Sequence, residues 1–300
     1  MSESWSTRGI APDALDALRR GLPPSELWSL LMQIMTDRAR REPARILDQW
    51  QRDGFTAPAA IDQRLLVEMD RVLLAAAPQF DAIEFSPLAP LGACSSVALT
   101  SQHRVVAALR GCEVVSDPTN VMALECARRL RRNPHDIVRI ATAQRCVRAQ
   151  PFPKLPGFAA HFRIFCLATG TAKGPDHDAV VQALVEQIQV LTRALAALEA
   201  VGIVCPVIAV KVLSIPERSG LADRVAAGIG SLAVRDELQH RYYDGLRFMV
   251  VVRTASGQEL PIADGGMFNW LTRLTSNRKL AFVASGVGTQ LLATQCLAGT

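Results

Sequence analysis

The chain has 300 residues, of which 49% are apolar, and a formal net charge of +5. That length and apolar content support one large core with a smaller appendage, and exclude an intrinsically disordered chain. The charge is mildly basic with scattered arginines, which does not imply nucleic acid as a partner. No stretch is long and apolar enough to span a membrane, and the opening MSESWSTRGIAPDAL lacks the basic-then-apolar order of a secretory signal.

The first fifth of the chain reads as helix. APDALDALRRGL carries an Asp near its start and stops at Gly21, and Pro24 and Ser25 are placed to begin the next helix. Leu27, Leu30, Leu31 and Ile34 form one face of that helix. Helical stretches follow at 43–52 and 61–77, the second with Leu65, Met69, Val72 and Leu73 at helical spacing. The texture then changes to strand. FDAIEFSPLAPLG runs from an apolar strand into a proline-rich turn. Further strands are expected at 104–109, 137–141, 144–149, 161–168, 207–213, 247–253, 258–262 and 280–287, from β-branched and aromatic runs with Gly or Pro borders.

Two helices interrupt the strands. SDPTNVMALECARRLRRN offers Asp117 or Thr119 as N-cap and ends in arginines, which suits the helix dipole. DHDAVVQALVEQIQVLTRALAALEAVG carries Val180, Leu184, Ile188, Leu191, Leu195 and Leu198 as one stripe and stops at Gly202. Helices group early and strands late, without regular crossover helices. The expected fold class is therefore α+β, a mixed and mainly antiparallel sheet with helices packed on it.

Seven cysteines at 94, 112, 126, 146, 166, 205 and 296 include no CxxC pair. They read as reduced, mostly core thiols, and the cytoplasm is the expected compartment. The sequence contains no phosphate-binding GxxxxGK[ST], no GxGxxG after a strand and no HExxH. His161 and Cys166 share one strand at odd spacing, so they are expected on opposite faces, with no metal held between them.

The order of four stretches is more informative. DRVLLAAAPQFDAIEFSPLAPLG is a helix, a strand and a proline turn. EVVSDPTNVMALECARRL is a strand, an Asp-x-Thr step and a helix. AQRCVRAQPFPKLPGFAAHFRIFCLATG is a strand with an Arg, a loop and a return strand. YYDGLRF, GGMFNWL and FVASGVGTQLL supply a strand pair, a Gly-Gly turn, and a last strand entering a helix. This order resembles the catalytic core of class II aminoacyl-tRNA synthetases. It is most similar to the histidyl-tRNA synthetase branch, which includes its paralogue, the regulatory subunit of ATP phosphoribosyltransferase. The resemblance spans residues 60–296, and its most specific pieces are the Tyr242-Tyr243-x-Gly245-x-x-Phe248 step and Gly265-Gly266. It implies a class II synthetase-like core over 58–300, with an N-terminal helical extension over 1–57 and no anticodon-binding domain.

The family's chemistry, carried onto this chain, is altered. The resemblance implies that Arg148 stands where an Arg grips the α-phosphate of ATP, while Gln150 replaces a Glu. Gly286 and Gly288 keep the glycines of the last strand, but Gln290 replaces the Arg that contacts the γ-phosphate, and a neutral amide cannot do the work of a guanidinium there. Asp117 and Thr119 match a step that would hold a substrate amine. Ile164 and Ala168 replace a Gln and a Glu, Leu238 replaces an Arg, and Met267, Phe268 and Asn269 replace Arg-Tyr-Asp.

Bland readings stand beside these. Arg148 is either a phosphate ligand or a structural Arg on an exposed strand. Asp117 and Thr119 either cap the 119–132 helix or bind an amine, and can do both. Tyr242 and Tyr243, as strand neighbours, are expected to point one into a pocket and one into the core. Gly265-Gly266 reads as a turn. The Arg run 128–132 reads as a solvated helix end.

The expected function is that of a catalytically degenerate paralogue, not a tRNA synthetase. It would bind a small amino acid-like ligand and act as a regulatory subunit, as a homodimer and with a catalytic partner subunit. The alternative is an ATP-dependent ligase that activates an amino acid or other carboxylic acid for a non-tRNA acceptor. That would require ATP and Mg, with Arg278 or Lys279 standing in for the missing Arg.

Overall fold

A computed structural model describes residues 9–152, 156–240 and 242–298. Helices α1 (Pro12–Asp16), α2 (Pro24–Arg38) and α3 (Pro43–Arg52) come first. None of the three buries a residue fully. Trp28 of α2 lies over Gly111, which places part of this segment against the body of the protein.

Helix α4 (Gln63–Ala75) opens the core, and its first turn is closed by the Asp62 carboxylate, which accepts from Arg64 N at 2.8 Å. Strands β1 (Asp81–Ala82), β2 (Leu88–Pro90), β3 (Ala107–Ala108) and β4 (Cys112–Val114) are short. Then come α5 (Pro118–Arg132), β5 (Val138–Val147), β6 (His161–Ala172) and α6 (Asp178–Ala197). The chain continues through β7 (Val207–Ser214), α7 (Ser219–Ile229), β8 (Ala233–Glu237), β9 (Leu246–Arg253) and β10 (Glu259–Phe268). It closes with α8 (Trp270–Thr275), β11 (Leu280–Gly288) and α9 (Thr289–Cys296).

The large sheet has the order β1-β5-β6-β11-β10-β9-β7-β8, and a small sheet has the order β2-β4-β3. Only the two edge pairings of the large sheet, β1 with β5 and β7 with β8, are parallel. The expected mixed, mainly antiparallel α+β architecture is the one that forms.

Alternation along the strands sorts side chains onto two faces. On one face Phe165, Phe248, Val250 and Val283 pack against Leu184, Ile188 and Leu191 of α6 and Met69 and Leu73 of α4. On the other, Ile140, Cys166 and Phe282 pack against Met122, Cys126 and Leu130 of α5 and Trp270 of α8. Each fully buried Leu or Phe contributes about 2 kcal/mol of apolar transfer. The stripe predicted for α6 is the one buried, and Gly202 follows it in the left-handed conformation (φ +80°).

Three expectations are corrected, and two elements are new. Residues 104–109 are not one strand: Gln102–Arg104 form a 3-10 turn started by the Ser101 hydroxyl, and only Ala107–Ala108 pair with β4. The stretches 137–141 and 144–149 are one strand, β5, because every residue from Val138 to Val147 pairs with β6. Helix α7 and strand β8 were not read from the sequence at all. Gly265 and Gly266 are not a turn but lie inside β10, paired on both sides with β9 and β11.

The reason glycine stands there is close approach. A Cβ on Gly265 would fall 2.4 Å from Ser285 Cβ, and one on Gly266 would fall 2.4 Å from the Leu246 carbonyl oxygen.

Candidate functional site

The α5 face of the large sheet is not fully covered. Between α5, the 92–104 segment and the Tyr242–Asp244 bend lies a cavity of about 450 Å³. That is within the usual range for small-molecule sites. Its floor is Ile164 and Cys166 of β6, with Ala284 and Gly286 of β11. Gly286 has to be small, because a Cβ there would come 3.0 Å from Ile164 Cδ1 and 3.1 Å from Cys166 Sγ.

One wall is the start of α5. Asp117 is its N-cap: Oδ1 accepts from Thr119 N at 3.0 Å and from Thr119 Oγ1 at 2.7 Å. Arg148, just past the end of β5, donates from Nε to the Ser116 carbonyl at 2.9 Å, and its Nη2 sits 3.3 Å from Asp117 Oδ2. Its guanidinium lies over the Phe162 ring, 4.9 Å from the centroid. Asp117 and Thr119 cap the helix and also face the cavity. Arg148 is held structurally and lines the cavity as well.

The facing wall is aromatic. Tyr242 and Tyr243 both line the cavity and pack edge to face at 5.1 Å. They lie in the bend before β9, and while both rings reach the cavity, Tyr243 also packs against the core under α5 and Tyr242 stays exposed. Phe268 packs against both rings and Trp270 packs behind Phe268, at 4.1 Å between centroids. The Tyr243 hydroxyl donates to Asp264 Oδ2 at 2.7 Å, and Arg247 Nη2 donates to the same oxygen at 2.8 Å. Burial, then the Asp264 charge beside it, raises the Tyr243 phenol above its ordinary range. Burial, then the Asp117 charge, raises Tyr242 likewise.

Asp117, Thr119, Arg148, Gln150, Tyr242, Tyr243, Gly265 and Gly286 thus meet around one cavity. Gly266, Gly288 and Gln290 do not line it. Gly266 sits under the Tyr243 ring. Gln290 lies in the first turn of α9 and directs its amide oxygen to Arg145 Nη1, 3.5 Å away, on the α4 side of the sheet. That side also holds His161, whose Nδ1 meets Arg145 Nη1 at 2.8 Å, and the Arg163–Asp70 pair. His161 and Cys166 accordingly face opposite sides, as expected. The next residue, Leu291, is the one that meets Gly157 of the loop after β5. Residues 153–155 of that loop, and Arg241 beside the tyrosines, lie outside the described residues.

Arg278 and Lys279 are also placed elsewhere. They border a separate depression with Lys173 and His177, at the other end of β11. Seven residues of strand, about 23 Å, separate Lys279 from Gly286.

Sequence reasoning missed Arg104, Asn120, Arg247 and Asp264, all of which line the cavity. Asp264 left a signal, a lone acid in the apolar strand PIADGGMF, and Arg247 left another in LRFMVVV. Arg104 left none, because its place depends on the turn it occupies.

The arrangement suits binding through charge and aromatic contact. It does not offer a reactive thiol, since burial pushes the thiols of Cys94 and Cys166 up. Among the described residues no group of three His, Cys, Asp or Glu is placed to hold a metal ion.

No family model and no curated protein sequence matches the chain. Solved structures do. Apo histidyl-tRNA synthetase of S. aureus superposes with a TM-score of 0.59 at 10% identity, over 80% of this chain and 68% of that one. An ATP phosphoribosyltransferase regulatory subunit/histidyl-tRNA synthetase of Bacillus halodurans gives 0.58 at 14% identity, over 79% and 81%. Pyrrolysyl-tRNA synthetase of Desulfitobacterium hafniense gives 0.50 at 16% identity, over 97% and 89%. Identities this low speak for the fold alone. With its sheet order, its flanking helices and these superpositions, the chain has the class II aminoacyl-tRNA synthetase fold.

Proposed function

We propose that the chain is a catalytically degenerate paralogue of the histidyl-tRNA synthetase type that binds a small molecule and serves as a regulatory subunit. The observation that carries this reading is where the cations of the cavity are spent. Arg148 is engaged by Ser116 and Asp117, and Arg247 by Asp264. Gln290 is turned to the opposite face. A triphosphate would find few free donors, whereas a small polar ligand with an apolar part would find a formed pocket.

The neighbour from Bacillus halodurans, whose name includes a regulatory subunit, supports the same reading by analogy of fold. The mechanism is linkage: ligand stabilises one arrangement of the subunit and shifts the activity of a catalytic partner. A homodimer with such a partner is the assembly this reading requires. The test is a thermal-shift screen of the purified chain against histidine, the other amino acids and ATP with magnesium. A ligand that binds only the folded state at one hundred times its Kd adds about 2.7 kcal/mol of stability. A shift with a small molecule but not with ATP, together with co-purification of a catalytic subunit, is the expected result. Amino acid-dependent pyrophosphate exchange would overturn it.

One observation favours a second reading, that of an ATP-dependent ligase. Arg104, Arg148 and Arg247 line a single cavity. In that reading a carboxylate oxygen attacks the α-phosphorus of ATP, an acyl-adenylate forms and pyrophosphate leaves. Arg148 would stabilise the charge that develops, with Mg on the departing phosphates. Exchange that is present in the wild type and abolished in Arg148→Ala would establish it.

A further inference from the structure

We infer that the ligand of this cavity is an organic acid without a free ammonium group. The inference rests on the ligand-binding reading above and narrows its ligand class. A carboxylate in the wall of a pocket attracts an amine, and Asp117 lines this one. Its oxygens are already used. Oδ1 accepts two hydrogen bonds from Thr119, and Oδ2 faces the Arg148 guanidinium. The second carboxylate, Asp264, has its charge matched by Arg247, which shares one oxygen with the Tyr243 hydroxyl.

The charges that line the cavity among the described residues are then three guanidiniums, Arg104, Arg148 and Arg247, against these two carboxylates. The surplus is positive, and it is Arg104. That residue is exposed at the rim, and no carboxylate or carbonyl among the described residues engages its side chain.

An ammonium entering this cavity would add positive charge to a positive site, and would compete with Arg148 for Asp117 or with Arg247 for Asp264. A carboxylate would instead pair with Arg104 in the bidentate geometry that a guanidinium favours. Asn120 adds a second requirement. It is 3% exposed, it lines the same wall, and its Oδ1 has no hydrogen-bond partner in the protein. A buried amide oxygen left unpaired is costly, and since this one is closed off from the cavity, a turn of the Asn120 amide would bring it to a neutral N–H or O–H of the ligand. A carboxylate with a neutral donor beside it describes a 2-hydroxy acid or an N-acylated amino acid. The apolar part of the ligand would lie between Tyr242, Phe268 and Ile164.

The test compares matched compounds on the full chain by thermal shift and calorimetry at neutral pH. Each of the twenty amino acids is set against its 2-hydroxy acid and its N-acetyl derivative, so that the side chain is constant and only the ammonium changes. For the best side chain, an amine-free member should bind at least tenfold more tightly than the amino acid. Arg104→Ala should weaken that member by tenfold or more. Arg148→Ala, which releases Asp117, should narrow or invert the preference. Should that variant not fold, Asn120→Asp is the second route, since it adds a carboxylate to the wall without changing its shape and should move the preference toward the amine. A purely structural role for these residues would weaken all members alike. Equal or tighter binding of the free amino acid overturns the inference and leaves the ligand-binding reading standing. No shift with any compound overturns both.

Discussion

Arg148 and Asp117 close one side of the cavity by an ion pair at 3.3 Å that also fixes the start of α5. Their side chains keep 30% and 23% of their exposure, so the pair is only partly shielded from water. A double-mutant cycle of Arg148→Ala and Asp117→Asn is expected to give a coupling of about 0.5–1 kcal/mol in urea unfolding. Asn keeps an oxygen for Thr119 N, so Asp117→Asn isolates the ion pair. Asp117→Ala also removes the cap and should cost about 1 kcal/mol more. Equal losses in Asn and Ala would show that the cap contributes nothing.

In the middle of α5, Glu125 lies between Arg128 and Arg129, with bonds of 2.7 Å to each. The Arg128 hydrogen bond, with Arg129 and both positive charges helping against burial, lowers its pKa to about 2. The sign follows from linkage. A carboxylate depressed in the folded state stabilises the fold above its unfolded pKa, about 4.3, and loses that contribution as pH falls toward the folded value. Unfolding followed between about pH 4.3 and pH 2 should therefore be less steep in Glu125→Gln than in the wild type. Above that window the two curves should run parallel, with the variant lower. The Arg run here serves this local network, and Arg131 also donates to the Leu274 carbonyl at 2.7 Å.

Most of the sheet was legible because its strands are runs of β-branched and aromatic residues, as in VIAVKVL and RFMVVVR. Helices α4 to α6 were legible by their stripes. Helix α7 was not. Gly220, Gly228 and several alanines blur its pattern, and Gly228 is small because Val185 of α6 would stand 2.7 Å from a Cβ there. Strand β8 was missed because it is an exposed edge, AVRDE, with no apolar alternation to read. The site divides in the same way. Asp117, Thr119 and Arg148 could be found because each follows or precedes a regular element in a recognisable order. Asp264 left a weaker trace, a lone acid in an apolar strand, and Arg104 left none, since what brings them together is the placing of β10 beside β11 and of a 3-10 turn at the cavity mouth. Gln290 lies away from the cavity because the whole of α9 packs on the α4 side of the sheet, with Leu291, Leu292 and Ala293 in that core.

Gly266 and Gly288, which flank the cavity without lining it, should differ sharply when substituted. Gly266→Ala drives a methyl to 2.4 Å from the Leu246 carbonyl oxygen and 2.5 Å from Tyr243 Cδ1. The first of these is backbone in a paired strand and cannot swing aside. About 1–3 kcal/mol of destabilisation is expected by chemical denaturation, with the Tyr243 ring displaced. At Gly288 the nearest atom to a new Cβ is Leu291 Cβ at 3.5 Å, an ordinary contact, so Gly288→Ala should fall within about 0.5 kcal/mol of wild type. A reversed order would mean that β10 and β9 are not as close as the structure places them.

Glu113 of β4 shapes the cavity without touching it. It is 2% exposed, and its carboxylate accepts from Gly92 N, Cys94 N and Gln102 Nε2, each at 2.8 Å. Those three donors belong to the segment that carries Cys94, Ala98, Thr100 and Arg104 to the cavity mouth. Gly92 takes φ +91° to begin that segment, which continues as a single helical turn over Ala93–Val97, and the carboxylate ties both ends of the segment to β4. Glu113→Gln replaces one acceptor oxygen with a donor that faces N–H groups. Glu113→Ala leaves buried donors unpaired, at a cost of about 3 kcal/mol. Both variants should loosen residues 92–104, read as faster amide hydrogen exchange there, while α6 and β9 keep wild-type protection because they lie outside this hydrogen-bond network. Ligand affinity should fall with the same ranking, Ala more than Gln, because Arg104 would no longer be held over the pocket. If exchange in 92–104 is unchanged in Glu113→Ala, the segment is held by its apolar contacts at Cys94, Val97 and Ala98, and the carboxylate is not its anchor.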